Sequence, residues 1–273
     1  MRHLQRPEGR ISYDLYGPDD TGLLVVCVPG MFDHRASFHS LGRALAATGH
    51  RVAVMDLRGH GDSDTTFDSY DSRAASSDAI ALAEELGAGG EARPTVMVGN
   101  SMGAAAVTIA AIDRPDLVAG IALLGPFLRP GTPNPVERLM LKLLLTRPWA
   151  PRALTLFYDR LHSGRTPEGH REQKERILRM LRPIDRYRAI RKTIDAPNET
   201  VDRAEGMSAE AVVIMGELDP DWKDPHAEAR WVASVVDGRL VMVPDCGHYP
   251  QSQRPDVVAP VLLDLIERVV VDG

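Results

Sequence analysis

The stretch Val98-Gly99-Asn100-Ser101-Met102-Gly103-Ala104 joins an apolar run, 95–98, to a helix-forming run, 104–112. A Gly-x-Ser-x-Gly motif so placed implies a strand that turns abruptly into a helix. The residues two before and two after the serine crowd each other unless they lack side chains. Such a turn strains the serine backbone and exposes its Oγ at the strand's carboxyl end. The pentapeptide is short and weak by itself, so the rest of the chain has to supply its context.

Strands and helices alternate on both sides of it. Segments 11–16, 23–28, 51–55, 95–98, 118–124, 211–215 and 239–243 read as strands, and 37–48, 72–86, 102–113, 225–235 and 255–270 as helices. Segment 23–28 is continuously apolar, as a strand buried on both faces should be. Helix 37–48 carries Phe38, Leu41 and Leu45 at helical spacing, and the closing helix begins on Pro255. This alternation predicts an α/β fold with a mostly parallel, doubly wound sheet. Segment 87–90 reads as a flexible loop.

The rhythm stops between Phe127 and Gly206, where 136–146, 150–162, 168–182 and 183–194 read as helices separated by Pro and Gly. The expected organisation is a core made of 1–126 and 207–273, with 127–206 inserted as a helical cap over Ser101. The insertion carries 14 Arg and 3 Lys against 10 Asp and Glu, a net charge of +7, and the whole-chain −6 leaves −13 on the core. Solvated helix faces with i, i+4 pairs account for such charge. The alternative is that some arginines meet an anionic substrate or an acidic carrier protein; Arg182, Arg186, Arg188 and Arg191, clustered beside Pro183, are the candidates.

The 273 residues, 44% of them hydrophobic, suit one such domain with an insertion. The overall charge of −6 predicts neither a nucleic-acid nor a membrane partner. The first eight residues lack a signal peptide's apolar segment, and no apolar stretch approaches 18 residues. Cys27 and Cys246 do not form a disulfide framework, so a cytoplasmic protein is expected. With no His-x-x-x-His, no Cys-x-x-Cys and no clustered ligands, neither metal nor cofactor is expected.

Two further loops carry chemistry. Strand 211–215 runs into Gly216-Glu217-Leu218-Asp219, with Asp221 and Asp224 close behind, and strand 239–243 runs into Asp245-Cys246-Gly247-His248-Tyr249. A serine, an acid and a histidine, each just past the carboxyl end of a parallel strand, open on one sheet edge, where ligands bind. Asp33, His34 and His39 follow the first core strand and are expected to border the pocket entrance.

Ser, then Asp, then His is the order of the α/β-hydrolase superfamily, which the chain resembles over essentially its whole length. Asp56-Leu57-Arg58-Gly59-His60-Gly61-Asp62-Ser63 is similar to the family's Arg-Gly-x-Gly-x-Ser loop, in which His60 reads as structural. Val28-Pro29-Gly30-Met31-Phe32 stands where the family has His-Gly, with proline in the histidine's place. The resemblance implies a Ser101–His248–Asp219 triad, Asp219 standing three residues after Gly216 as in the family's Gly-x-x-Asp turn. It implies an oxyanion hole from the backbone N–H groups of Met31 and Met102. Phe32 and Tyr249 then fall beside the substrate.

A serine at the elbow argues for hydrolysis of a carboxylic ester or thioester. Gly99-Asn100-Ser101-Met102-Gly103 and Cys246-Gly247-His248-Tyr249-Pro250-Gln251 are also similar to the carbon–carbon bond hydrolases that act on meta-cleavage products. Against that similarity, Tyr249 replaces their tryptophan, Ala104 replaces a further glycine, and their polar Gly/Ser/Asn-rich loop after the first core strand is missing. A non-hydrolytic ligand sensor or pathway scaffold on the same fold is the third reading. Pocket character separates the first two: a short polar pocket with an inward arginine suits a dienoate, a long apolar one an acyl ester.

Overall fold

The computed structural model of the chain describes residues 1–18, 22–87, 94–129, 145–146, 148–196, 201–202, 204 and 206–272. Eight strands form one sheet in the order β1-β2-β4-β3-β5-β6-β7-β8. They are β1 (Arg2–Arg6), β2 (Gly9–Tyr16), β3 (Leu24–Val28), β4 (Arg51–Met55), β5 (Thr95–Asn100), β6 (Val118–Leu124), β7 (Glu210–Gly216) and β8 (Arg239–Val243). β1, β2 and β4 pair antiparallel, and every pairing from β4 through β3 to β8 is parallel. The expected doubly wound α/β sheet is therefore present.

Its central strands are buried on both faces. In β3, Leu24, Val26 and Val28 join one apolar cluster while Val25 and Cys27 join the other. α1 (His39–Ala47) and the closing helix cover the second face, and α2 (Ser72–Glu85) and α3 (Met102–Asp113) cover the first. Alternation of side chains across the pleat makes a continuous apolar run serve both layers. Cys27 and Cys246 are buried free thiols.

Between β6 and β7 the described residues are helical: α4 (Ala150–Leu161), α5 (His170–Met180) and α6 (Ile184–Asp195). A separate apolar cluster, including Leu154, Tyr158, Ile177, Met180 and Ile190, joins these helices, and Tyr249 of the core packs into it. Most of the helix expected at 136–146, and the loop expected at 87–90 beyond Gly87, lie outside the described residues. After β7 come α7 (Pro225–Val236), the short α8 (Pro250–Gln253) and α9 (Pro255–Asp272).

One strand went unread in the sequence, and one local expectation is corrected. Arg2–Arg6 is a strand despite its polar sequence, since only Leu4 is buried and the antiparallel ladder with β2 supplies the rest. The helix expected from residue 37 begins instead as a 3₁₀ turn, Arg35–Phe38, capped by His34 Nδ1 accepting from the Ala36 N–H, before α1 proper.

Candidate functional site

Ser101 follows β5 with φ 55° and ψ −120°, a left-handed backbone rarely adopted by a residue with a side chain. Space forces the flanking glycines: a Cβ on Gly99 would overlap the Gly103 carbonyl, and one on Gly103 would overlap the Val28 carbonyl. The Ser101 N–H donates to the Leu124 carbonyl (3.0 Å), which fastens the turn to β6. The expected strand-turn-helix elbow is there.

The other two loops arrive beside it. Asp219 closes a turn in which its N–H donates to the Gly216 carbonyl (3.2 Å), and its Oδ2 accepts from His248 Nδ1 at 2.8 Å. Both side chains are essentially buried. Asp219 Oδ1 accepts from the Asp221 N–H (3.0 Å), so both of its oxygens are held. Asp221 Oδ2 lies 3.6 Å from the same His248 Nδ1. Asp224, the third acid of this loop, caps α7 by accepting from the Ala227 N–H.

The backbone of His248 is tied in two directions. Its carbonyl accepts from Asn100 Nδ2 (3.0 Å), and that same nitrogen donates to the Leu124 carbonyl (2.9 Å); its N–H donates to the Leu161 carbonyl at the end of α4 (2.8 Å). Gln253 Oε1 accepts from the Gly247 and Tyr249 N–H groups. Neither Asn100 nor Gln253 stood out in the sequence as a support for the histidine. Asn100 adjoins the serine and was readable only as part of the elbow; Gln253 carries no local signal at all.

Burial opposes charge on His248, but Asp219, its hydrogen bond, Asp221 and Asp33 outweigh burial and lift it to about 9. Asp221 is raised above the usual carboxylate range by burial and by Asp219, with His248 working against the rise. Asp219, Asp221 and His248 also bring three possible metal-ligand atoms within 4.8 Å of one another. Nδ1 has its bond to Asp219, an arrangement that orients an imidazole better than it leaves a lone pair for an ion.

Asp33 and His34 do not border an entrance: both are buried. Burial pushes the Asp33 carboxyl up to about 7, and it pushes His34 down to about 3, helped by Arg176 and Arg35. His39 is exposed and stands edge-on to Tyr16, with centroids 5.7 Å apart. His60 is structural, as read. Its Nδ1 bonds the Arg58 carbonyl (2.9 Å) and its Nε2 accepts from the Phe32 N–H (3.2 Å), bracing the loop that carries proline in place of histidine. Burial holds it neutral, down at about 4.

A cavity of about 350 Å³ joins these parts. Ser101, His248 and Asp221 open onto it together with Met31, Phe32, Met102 and Tyr249, and Phe127, Leu145, Ala153, Leu154, Phe157, Leu161 and Ile194 make its walls apolar. Residues of the inserted helices thus roof the serine.

None of the four arginines singled out in the insertion lines this cavity. Arg186 donates to the carbonyls of Ser63 (2.8 Å), Gly59 (3.3 Å) and His60 (3.3 Å), and Arg191 bonds the Leu145 carbonyl and Asp195. Arg182 and Arg188 are exposed. Among the described residues the arginine that reaches the cavity is Arg129, which was not expected there; it is paired with buried Glu228 and lies 3.9 Å from the ring centroid of Trp231. Arg186 therefore clamps α6 to the loop after β4. Arg186→Ala is expected to cost about 1.5–3 kcal/mol, the range for hydrogen bonds from a charged donor. Thermal melts should show it, while turnover of a small neutral ester stays unchanged.

Comparison with known proteins agrees with this geometry. A profile described as "Alpha/beta hydrolase family" matches residues 25–261. The mouse sn-1-specific diacylglycerol lipase ABHD11 is 37% identical over 116 residues, 42% of this chain and 36% of the mouse protein, and its Xenopus tropicalis counterpart is 33% identical over 109 residues, 40% and 33% of the two chains. The matches span only about a third of these curated relatives' length. Among solved structures, a thermophilic esterase from Thermogutta terrifontis superposes with TM-score 0.75 at 23% identity, covering 98% of this chain and 99% of its own. The esterase EaEST from Exiguobacterium antarcticum gives 0.75 at 19% identity, covering 95% and 96%. At these identities the two structures speak to the fold alone.

Proposed function

The chain belongs to the α/β-hydrolase family, and from that premise we propose that it is a serine hydrolase of carboxylic esters with an apolar acyl group. The cavity carries this reading: its walls are apolar, and the serine and histidine open directly into it.

In this reading Ser101 Oγ attacks the ester carbonyl while His248 Nε2 takes its proton. Asp219, bonded to Nδ1, fixes the tautomer in which Nε2 carries no proton and stabilises the imidazolium as it forms. The N–H groups of Met31 and Met102 receive the developing oxyanion, a contribution of about 3 kcal/mol per donor in comparable sites. His248 returns the proton to the leaving alcohol, and water then clears the acyl-enzyme by the same steps. The segment 127–206 acts as the lid that keeps the acyl chain out of water. The mouse and frog relatives are named as lipases, which fits an apolar acyl group.

A dienoate substrate of the carbon–carbon type would need an unspent cation in the cavity, and Arg129 already has Glu228. A thioester with an apolar acyl group would meet the same walls.

The test is a series of p-nitrophenyl esters from acetate upward. Burying a methylene is worth about 0.8 kcal/mol, so kcat/KM should climb about fourfold per added carbon until the cavity is full, then fall. An initial burst of nitrophenol followed by turnover separates an enzyme from a sensor. A flat series, or a preference for acyl groups bearing a carboxylate, refutes the reading.

A further inference from the structure

Helix α4 has two apolar faces where a lid needs one. Ala150, Pro151, Leu154, Tyr158 and Leu161 are buried. On the other side Trp149 is 64% exposed, Leu156 69% and Phe157 40%. Trp149, Ala153 and the Leu156–Phe157 pair recur four and seven to eight residues apart, so they form one stripe along the helix. Scattered exposed apolar residues are ordinary, but a contiguous stripe of large ones marks a contact surface. Ala153 and Phe157 also line the cavity that holds Ser101 and His248, so the stripe runs from solvent into the cavity mouth. Arg152 and Arg160 are exposed on the same helix.

We propose that this face of the insertion docks on an anionic phospholipid bilayer. An apolar stripe with a tryptophan, edged by arginines, is the pattern of a helix lying in a membrane interface. The overall charge of −6 argued against such a partner, yet it conceals +7 on 127–206 and −13 on the remainder. An anionic surface attracts the first and repels the second, so it turns the cavity mouth toward the lipid. A second copy on a two-fold axis would bring Arg152 and Arg160 of one chain toward the same cations of the other. An acidic protein would satisfy the arginines, but charge alone would leave Trp149 and Leu156 in water. The docking holds whether or not the ester-hydrolase reading does, since it concerns the surface and not the reaction.

The experiment mixes the full chain with vesicles of phosphatidylcholine, alone or with about 30 mol% phosphatidylglycerol, and follows sedimentation and tryptophan emission. Binding with a blue shift is expected on the anionic vesicles only. It should reverse near 1 M salt, where the Debye length is about 3 Å. A Trp149→Ser/Leu156→Ser double variant and an Arg152→Glu/Arg160→Glu double variant should each bind at least about tenfold more weakly. The Trp149/Leu156 variant should keep wild-type kcat/KM on a short water-soluble ester, because neither side chain lines the cavity. No binding to anionic vesicles, equal binding to both vesicle types, or wild-type binding by both variants overturns the proposal. So does light scattering that shows a dimer dispersed by the Trp149/Leu156 variant in a protein that ignores vesicles.

Discussion

Ser101→Ala is expected to lower kcat by on the order of 10³-fold or more, with a melting temperature close to that of the parent. The chemistry and the stability come apart at this position for a structural reason. The Ser101 side chain makes no capping hydrogen bond to α3, so removing its oxygen takes no cap from the helix. What keeps the turn strained is the backbone, with φ 55° held by the bond to the Leu124 carbonyl and by the glycines on either side; alanine inherits that strain unchanged. The change should therefore fall within about 0.5 kcal/mol, as for substitutions away from packing and networks. Steady-state kinetics on a short ester beside a thermal melt would read both quantities. Turnover near the parent rate would mean that another nucleophile does the work.

Much of this was legible because the physics involved is local. A strand buried on both faces must be apolar throughout, so β3, β5 and β6 announce themselves, and a serine between two glycines at the end of one of them has few other uses. The acid and the histidine could be placed because each follows a strand, and parallel strands bring their carboxyl ends together. β1 was not legible: Arg2–Arg6 is a polar edge strand whose partner is chosen by the sheet, not by its own composition. The 3₁₀ start at Arg35 likewise depends on a cap from His34 that a pattern of apolar spacing does not register.

Long-range polar contacts were legible least. The arginines at 182–191 stand out as charge, but charge does not say which carbonyls a guanidinium will find. Arg186 finds those of Gly59, His60 and Ser63, more than 120 residues away in the chain. Arg129, an isolated arginine at the start of the insertion, gave no pattern that set it apart, and only the fold puts Glu228 and Trp231 around it at the cavity wall. Asp33 and His34 read as residues of the pocket entrance and are instead buried, with α8 packed against the 3₁₀ turn that follows them.

Asp219→Asn should lower kcat by about 10⁴-fold, the size of the effect when the corresponding aspartate of a serine protease is changed the same way. The amide could present its NH₂ to Nδ1, which would then accept instead of donate and put the proton on Nε2, the wrong face for the serine. Asp221→Asn should do far less to kcat, since its carboxylate is 3.6 Å from Nδ1 against 2.8 Å for Asp219 and does not hold the ring. It should instead move the pH profile. The base must be neutral to accept the serine proton, and the carboxylates around it favour the cation, so kcat/KM of the parent should rise with pH through about 9. Removing the Asp221 charge removes one of the influences that raise His248, and the midpoint should shift downward. A pH series on the parent and the two variants distinguishes the roles. A larger loss in kcat for Asp221→Asn than for Asp219→Asn would place the orienting acid at Asp221, whereas an unmoved midpoint in Asp221→Asn would remove that carboxylate from the electrostatics of the site.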